Sequence, residues 1–299
     1  MRINRRARLD TSNVRDRRGR GGGLGGGMGR GGGLAVGGVG GLVLLVIAMV
    51  LGVDPGALVG GGTSAEAPAG GALESCETGA DVEANAECRF VAYENSIQDY
   101  WEGAVAEAGG RYTPALFTTF SGGVSTGCGQ ASSQVGPFYC PADAGVYLDL
   151  GFFEVLESRF GAEGGDFAEA YVLAHEFGHH MQNLTGQMQR VRTREGPQSD
   201  AVRLELQADC YAGVWAHHAT STPAEGGEPI ITEITEQDVA EGIDAAGVIG
   251  DDSIQERFGG SVTPETWTHG SSEQRRRWLL TGLREGDPAA CDTFSASSL

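Results

Sequence analysis

The sequence contains no lysine. All 21 of its basic residues are arginine, and they face 40 acidic residues. No C-x-x-C pair occurs, so the six cysteines lack the spacing of a thiolate metal site. There is one long uncharged run and no second, which excludes a multi-pass helical membrane protein. No internal repeat is evident either, so a solenoid or propeller is excluded.

What is present is unevenly placed. Residues 1–33 hold nine Arg against Asp10 and Asp16 and are rich in Gly, which reads as a disordered cytoplasmic tail. Residues 34–53 carry no charge and, as a helix, match the hydrocarbon thickness of a bilayer. The length of this run, and the Asp54-Pro55 that follows it, favour a retained signal anchor over a cleaved peptide. The arginines ahead of it place the N-terminus in the cytoplasm, so the expectation is a single-pass cell-membrane protein with its domain outside. Residues 54–73, rich in Gly, Ala, Pro and Ser, read as a linker, and residues 74–299 as one domain. After residue 53 there are twelve Arg and 38 acidic residues, a balance that disfavours nucleic acid as a partner. All six cysteines follow the apolar run. An even count outside the cytoplasm reads as three disulfides, expected as Cys76–Cys88, Cys128–Cys140 and Cys210–Cys291 because the first two close short loops.

The domain reads as mainly α, of an α+β class with a small strand region. Apolar spacing predicts a helix over 91–108, stopped by Gly109-Gly110. Short strands are expected at 116–120 and 146–150. A longer helix starts at a capping box of Asp166 and Glu169 and ends before Gly186. Further helices are expected over 199–218, over 235–248, and from the Ser271/Gln274 capping box to 284, before Gly286 and Pro288.

The long helix contains His175-Glu176-Phe177-Gly178-His179. On a helix, this H-E-x-x-H spacing sets two imidazoles one turn apart on one face with a carboxylate beside them. Two neutral imidazoles can hold a zinc ion, and Glu176 can take a proton from a water. A catalytic zinc needs a third protein ligand. Gln182 and Thr185 stand where a metzincin would need Gly and His, so that class is excluded. Glu205 lies 26 residues after His179 on the next expected helix, with Asp209 one turn further on. Glu205 is the candidate third ligand, and Asp209 the candidate partner for the free N–H of His175. His180 points off the ligand face, and His217 and His218 read as surface or interface residues. His269 precedes a capped helix and is a candidate stabiliser of an oxyanion, with Tyr147 a weaker candidate for the same task.

The segments GPFYCPAD (136–143), VYLDLGFF (146–153), HEFGHHMQNLTG (175–186), LELQADCYAGVWA (204–216), AAGVIGDD (245–252) and THGSSEQRRRW (268–278) resemble the bacterial neutral zinc metallopeptidase family. That is a zincin-like group of membrane-anchored or secreted proteins. The resemblance covers most of 76–294 and leaves the Arg/Gly-rich tail and the linker outside. It implies zinc ligands at His175, His179 and Glu205 and a general base at Glu176. The expected function is a membrane-anchored, zinc-dependent endopeptidase acting on peptides or proteins. The rival is a zincin-fold binding or scaffold protein at the cell envelope without activity, which loss of the general base would mark. A closed structural zinc site would need a fourth Cys or His ligand, and an integral-membrane H-E-x-x-H protease would need further apolar runs.

Overall fold

The computed structural model describes residues 1–19 and 71–299. The apolar run at 34–53 lies outside the described residues, as does most of the expected linker. Among the described residues no helix is long and apolar enough to cross a membrane.

In chain order, the strands are β1 (Arg2–Ile3), β2 (Val14–Asp16), β3 (Leu116–Thr119), β4 (Gly123–Thr126), β5 (Gly129–Ser132), β6 (Phe138–Cys140), β7 (Gly145–Leu148) and β8 (Ile231–Glu233). The principal helices are α1 (Cys88–Glu107), α2 (Phe152–Ser158), α3 (Asp166–Leu184), α4 (Asp200–His218), α5 (Glu236–Val248), α6 (Asp251–Gly259) and α7 (Ser272–Glu285). The domain is therefore α+β, as expected. Its four-stranded sheet runs β2-β3-β7-β6, with β2 and β7 parallel to β3 and β6 antiparallel to β7. The helices α3, α4 and α7 form the centre of the molecule, and β6 and β7 lie against α3.

Glycine allows these helices to approach closely. A Cβ added to Gly178 would lie 3.0 Å from the Cα of Ala208, so the motif helix α3 and helix α4 touch backbone to backbone. A Cβ on Gly282 would overlap the carbonyl oxygen of Cys210, which fixes α7 on the other side of α4. The Cys210–Cys291 disulfide ties α4 covalently to the short turn Pro288–Cys291 that follows α7. Cys76–Cys88 and Cys128–Cys140 complete the pairing that the short loops suggested.

Several starts and stops follow the sequence. Ser199 caps α4, Thr235 and Asp238 form a capping box on α5, and Ser271 and Gln274 form one on α7. Gly286 ends α7 in the left-handed conformation. The expected box at Asp166 and Glu169 does not form. Gly165 occupies the N-cap, and Glu169 turns instead to Arg89 of α1, whose Nη2 donates to its Oε1 at 2.7 Å. A charged guanidinium outcompetes a neutral backbone donor for the carboxylate.

The largest departure is at the N-terminus. Residues 1–18 are not a separate disordered tail. β1 pairs antiparallel with β8, and β2 forms an edge of the four-stranded sheet. Val14 is fully buried, and Ala7 and Leu9 join the core. Backbone hydrogen bonds and buried apolar side chains outweigh the solvation of an Arg-rich segment, because Arg18 finds Asp16 and Glu87 at 2.8 Å each. The domain also begins earlier than residue 74, since Leu73 is fully buried.

Candidate metal centre

α3 presents His175 and His179 one turn apart, and their rings lie 4.8 Å apart, nearly perpendicular. The Gly178–Ala208 contact brings α4 close enough for Glu205 to reach both. Its Oε2 is 3.3 Å from His175 Nε2 and its Oε1 is 3.5 Å from His179 Nε2. One ligand atom from each of the three residues lies within 4.8 Å of the others, and all three residues are buried. Among the described residues this is the only such cluster of His, Cys, Asp and Glu.

Each histidine is oriented through its other nitrogen. His175 Nδ1 lies 2.8 Å from Asp209 Oδ1. His179 Nδ1 lies 2.8 Å from Gln182 Oε1. Both contacts favour a proton on Nδ1 and leave Nε2 to face Glu205. The supports are themselves held. Asp209 accepts from Tyr171 Oη at 2.6 Å and from Arg275 Nε and Nη2 at 2.9 Å each. Gln182 donates to the carbonyl of Leu204 at 2.7 Å. Asp209 is thus the partner of His175, as its spacing from Glu205 suggested. Gln182, Tyr171 and Arg275 were not expected. Gln182 stands three residues after His179, a same-face spacing that carries the signal, whereas Arg275 has only a basic run to announce it.

The electrostatics suit a cation. Burial opposes charge on His175, but the Asp209 carboxylate overcomes it and pushes the imidazole pKa up to about 10. Burial likewise opposes ionisation of Glu205, yet the neighbouring His179 holds its carboxyl well below the ordinary value. A metal entering this cleft must therefore displace protons from imidazole and compensates the carboxylates directly. Burial raises the Glu176 carboxyl above its usual range, with no hydrogen bond to offset it. Two imidazole nitrogens and one carboxylate oxygen, each buried and with the histidine tautomers set from outside, are the donor set of a catalytic zinc site with three protein ligands.

His269 enters the same cleft from the loop before α7. Its Nδ1 lies 3.2 Å from Asp251 Oδ1. Asp251 is fixed in turn, because its Oδ2 accepts the backbone N–H groups of Thr268, His269 and Gly270 at 2.7–3.0 Å. Burial opposes protonation of His269, but Asp251 outweighs it and raises the pKa. Tyr147 does not reach the cleft. It belongs to a small core under the β4–β5 hairpin, stacks on Phe138, and its hydroxyl donates to Asp143 at 2.7 Å. His180 is fully buried and bonds Tyr139 and the carbonyl of Thr113, so it anchors α3 to its surroundings. His217 and His218 approach the carbonyls of Leu283 and Gly286 and secure the end of α7.

The rest of the cleft is apolar, lined by Phe138, Phe152, Phe160, Val172, Ile249 and Ile254 beside the polar residues. β6 forms part of its wall and is an outer strand of the sheet.

A family profile described as "Putative neutral zinc metallopeptidase" matches residues 1–294, so the match takes in the N-terminal segment as well as the cleft. The chain is 47% identical over 257 residues to the uncharacterized protein Rv2575 of Mycobacterium tuberculosis, covering 84% of this chain and 86% of that protein. It is 38% identical over 298 residues to the uncharacterized protein YpfJ of Escherichia coli K12, covering 97% and 98%. No solved structure matches.

Proposed function

The chain belongs to the neutral zinc metallopeptidase family, and from the cleft it carries we propose that it is a zinc-dependent peptidase that hydrolyses internal bonds of peptides or proteins. The observation that carries this reading is the convergence of His175, His179 and Glu205 with a buried, otherwise unpaired Glu176 beside them. A purely structural or scaffolding site has no need of that fourth residue.

A zinc ion bound by the three ligands would supply Lewis acidity and ease the deprotonation of a water. Glu176 accepts that proton on its carboxylate and delivers it to the leaving amine nitrogen. Burial raises its carboxyl above the ordinary value, the direction that suits a base that must also return the proton as an acid. His269, whose protonation Asp251 favours, donates from its free ring nitrogen to the oxyanion that develops on the scissile carbonyl. Asp209 and Gln182 keep the two imidazoles in register. The outer strand β6 offers backbone groups to an extended peptide, and the aromatic wall offers room for apolar side chains.

The test is digestion of a denatured-protein or peptide library by the full chain, with and without a chelator, and with zinc content measured on the same sample. Glu176→Gln should retain zinc and lose about 10²–10⁴ in rate. Undiminished hydrolysis by that variant removes the assignment, and so does chelator-insensitive cleavage.

A further inference from the structure

The docked N-terminal segment bears on the chain's topology. Residues 1–18 are woven through the domain and do not simply rest on it. Arg2 and Ile3 pair with Glu233 and Ile231, and Val14 to Asp16 pair with Phe117 to Thr119. Between these strands, Leu9 N–H donates to the carbonyl of Glu77 at 2.8 Å, and Gly79 N–H donates to that of Ala7 at 3.0 Å. Asn95 of α1 clasps Asp10 from both sides: its Oδ1 accepts the Asp10 N–H at 2.6 Å and its Nδ2 donates to the Asp10 carbonyl at 2.8 Å. The domain has a groove shaped for this strand, since a Cβ on Gly79 would overlap the carbonyl oxygen of Asn4.

The arginines have partners too. Seven of the nine that precede the apolar run lie within this segment. Arg2 meets Glu233 at 2.9 Å, Arg5 meets Glu83 at 3.0 Å, and Arg18 meets Glu87 at 2.8 Å. The positive charge that would hold a tail in the cytoplasm is complementary to an acidic domain. A single crossing by residues 34–53 would put the two halves of these pairs on opposite faces of about 30 Å of hydrocarbon. A second crossing has no sequence to make it: residues 20–33 include Arg20 and Arg30, and residues 54–70 include Asp54, Pro55, Glu66 and Pro68.

We infer that residues 1–18 lie on the same side of the membrane as the metal cleft, as a strand of its sheet, and that the apolar run is not a one-pass anchor. The three disulfides then argue that both parts reach an oxidising compartment together.

All six native cysteines are paired, so a single introduced thiol can be read without background. Arg17 and Arg111 are both exposed, one in the N-terminal segment and one in the domain. The experiment labels full-length Arg17→Cys and Arg111→Cys chains with a membrane-impermeant maleimide, in intact and in permeabilised cells. The labelled peptides are identified by mass. The expected result is one pattern for both chains, either labelled in intact cells or labelled only after permeabilisation. Labelling of the Arg111→Cys chain in intact cells, with the Arg17→Cys chain reached only after permeabilisation, overturns the inference. A further chain, Arg2→Cys with Glu233→Cys, tests the docking itself. These paired residues stand at a spacing that a disulfide can bridge, so added oxidant should cross-link them within one chain. Absence of that cross-link also overturns the inference. Neither readout depends on peptidase activity.

Discussion

The metal cleft and the N-terminal docking surface are held by different forces. The cleft is a set of buried charges, each constrained by another: Arg275 on Asp209, Asp209 on His175, Gln182 on His179, backbone amides on Asp251. The docking surface relies on short runs of backbone pairing, a few buried apolar side chains, and arginine pairs that are mostly solvent-facing. Exposed ion pairs contribute at most about 1 kcal/mol each, whereas a buried ion whose partner is removed costs several. Damage to the cleft should therefore change chemistry and stability together, and damage to the docking surface should change stability at nearly constant chemistry.

The sharpest way to break that contrast is Glu205→Ala. It removes one of three ligands and leaves His175 and His179 with their Nδ1 partners. Zinc occupancy, measured by elemental analysis after dialysis, should fall to a small fraction of wild type. Unchanged metal content would take Glu205 out of the ligand set. Next comes Gln182→Ala, which leaves every ligand in place and frees His179 to rotate. Loss of such an orienting partner typically costs about 10–100-fold in metal affinity. Competition with a chromophoric chelator would measure it, and an affinity equal to wild type would show that the His179 tautomer needs no fixing.

These cleft residues are legible in the sequence because their geometry is local. His175 and His179 are one helical turn apart, Glu205 and Asp209 likewise, and both segments carry a periodic apolar stripe that makes them helices without further help. Gly178 supplies the rest, since a helix that approaches another through glycine places the two faces together. The docking surface has no such signature. β1 and β2 are two and three residues long, too short to show alternation, and their partners lie more than a hundred residues away. An Arg-rich, Gly-flanked segment also has the composition of a disordered tail, and only the positions of its acidic partners say otherwise. Asp251 falls between the two cases. It is the first residue of a helix, and the loop it organises arrives 18 residues later, so His269 could be singled out while its partner could not.

On the docking side, Leu9→Ala is the counterpart of the cleft variants. Leu9 is buried in the core, and removing it costs roughly 2–5 kcal/mol if the cavity does not collapse. Chemical denaturation should show the loss, with zinc affinity of the remaining folded protein unchanged. A proportional loss of zinc affinity would mean that the two regions are one cooperative unit and that the contrast is false.

The last effect is also the most specific, because it separates the docking surface from the cleft by pH. Glu94 is buried in α1, where it receives the side-chain amides of Asn95 and Gln98. Those two residues hold Asp10 on one side and Ala115 on the other. Burial pushes the Glu94 carboxyl up from 4.5 to about 8. Between those values the folded chain keeps a proton that the unfolded chain has released. Unfolding is then favoured as pH rises, so this residue's contribution to stability is present below about 4.5 and lost progressively toward pH 8. Glu94→Gln cannot titrate. Its absolute stability can differ for other reasons, because a Gln amide must share two donors. The change in the difference between wild type and variant isolates the proton. Melting curves at pH 5 and pH 8 should show wild type losing ground to Glu94→Gln by on the order of ten degrees if the whole shift is expressed, about 3–4 kcal/mol at about 2–4 °C per kcal/mol for a domain of this size. Metal affinity of the cleft, whose histidines would favour a metal as pH rises, would move the opposite way, so the scan is made on metal-free protein. Parallel melting curves at the two pH values would place Glu94 in contact with water and remove it from the anchor of the N-terminal segment.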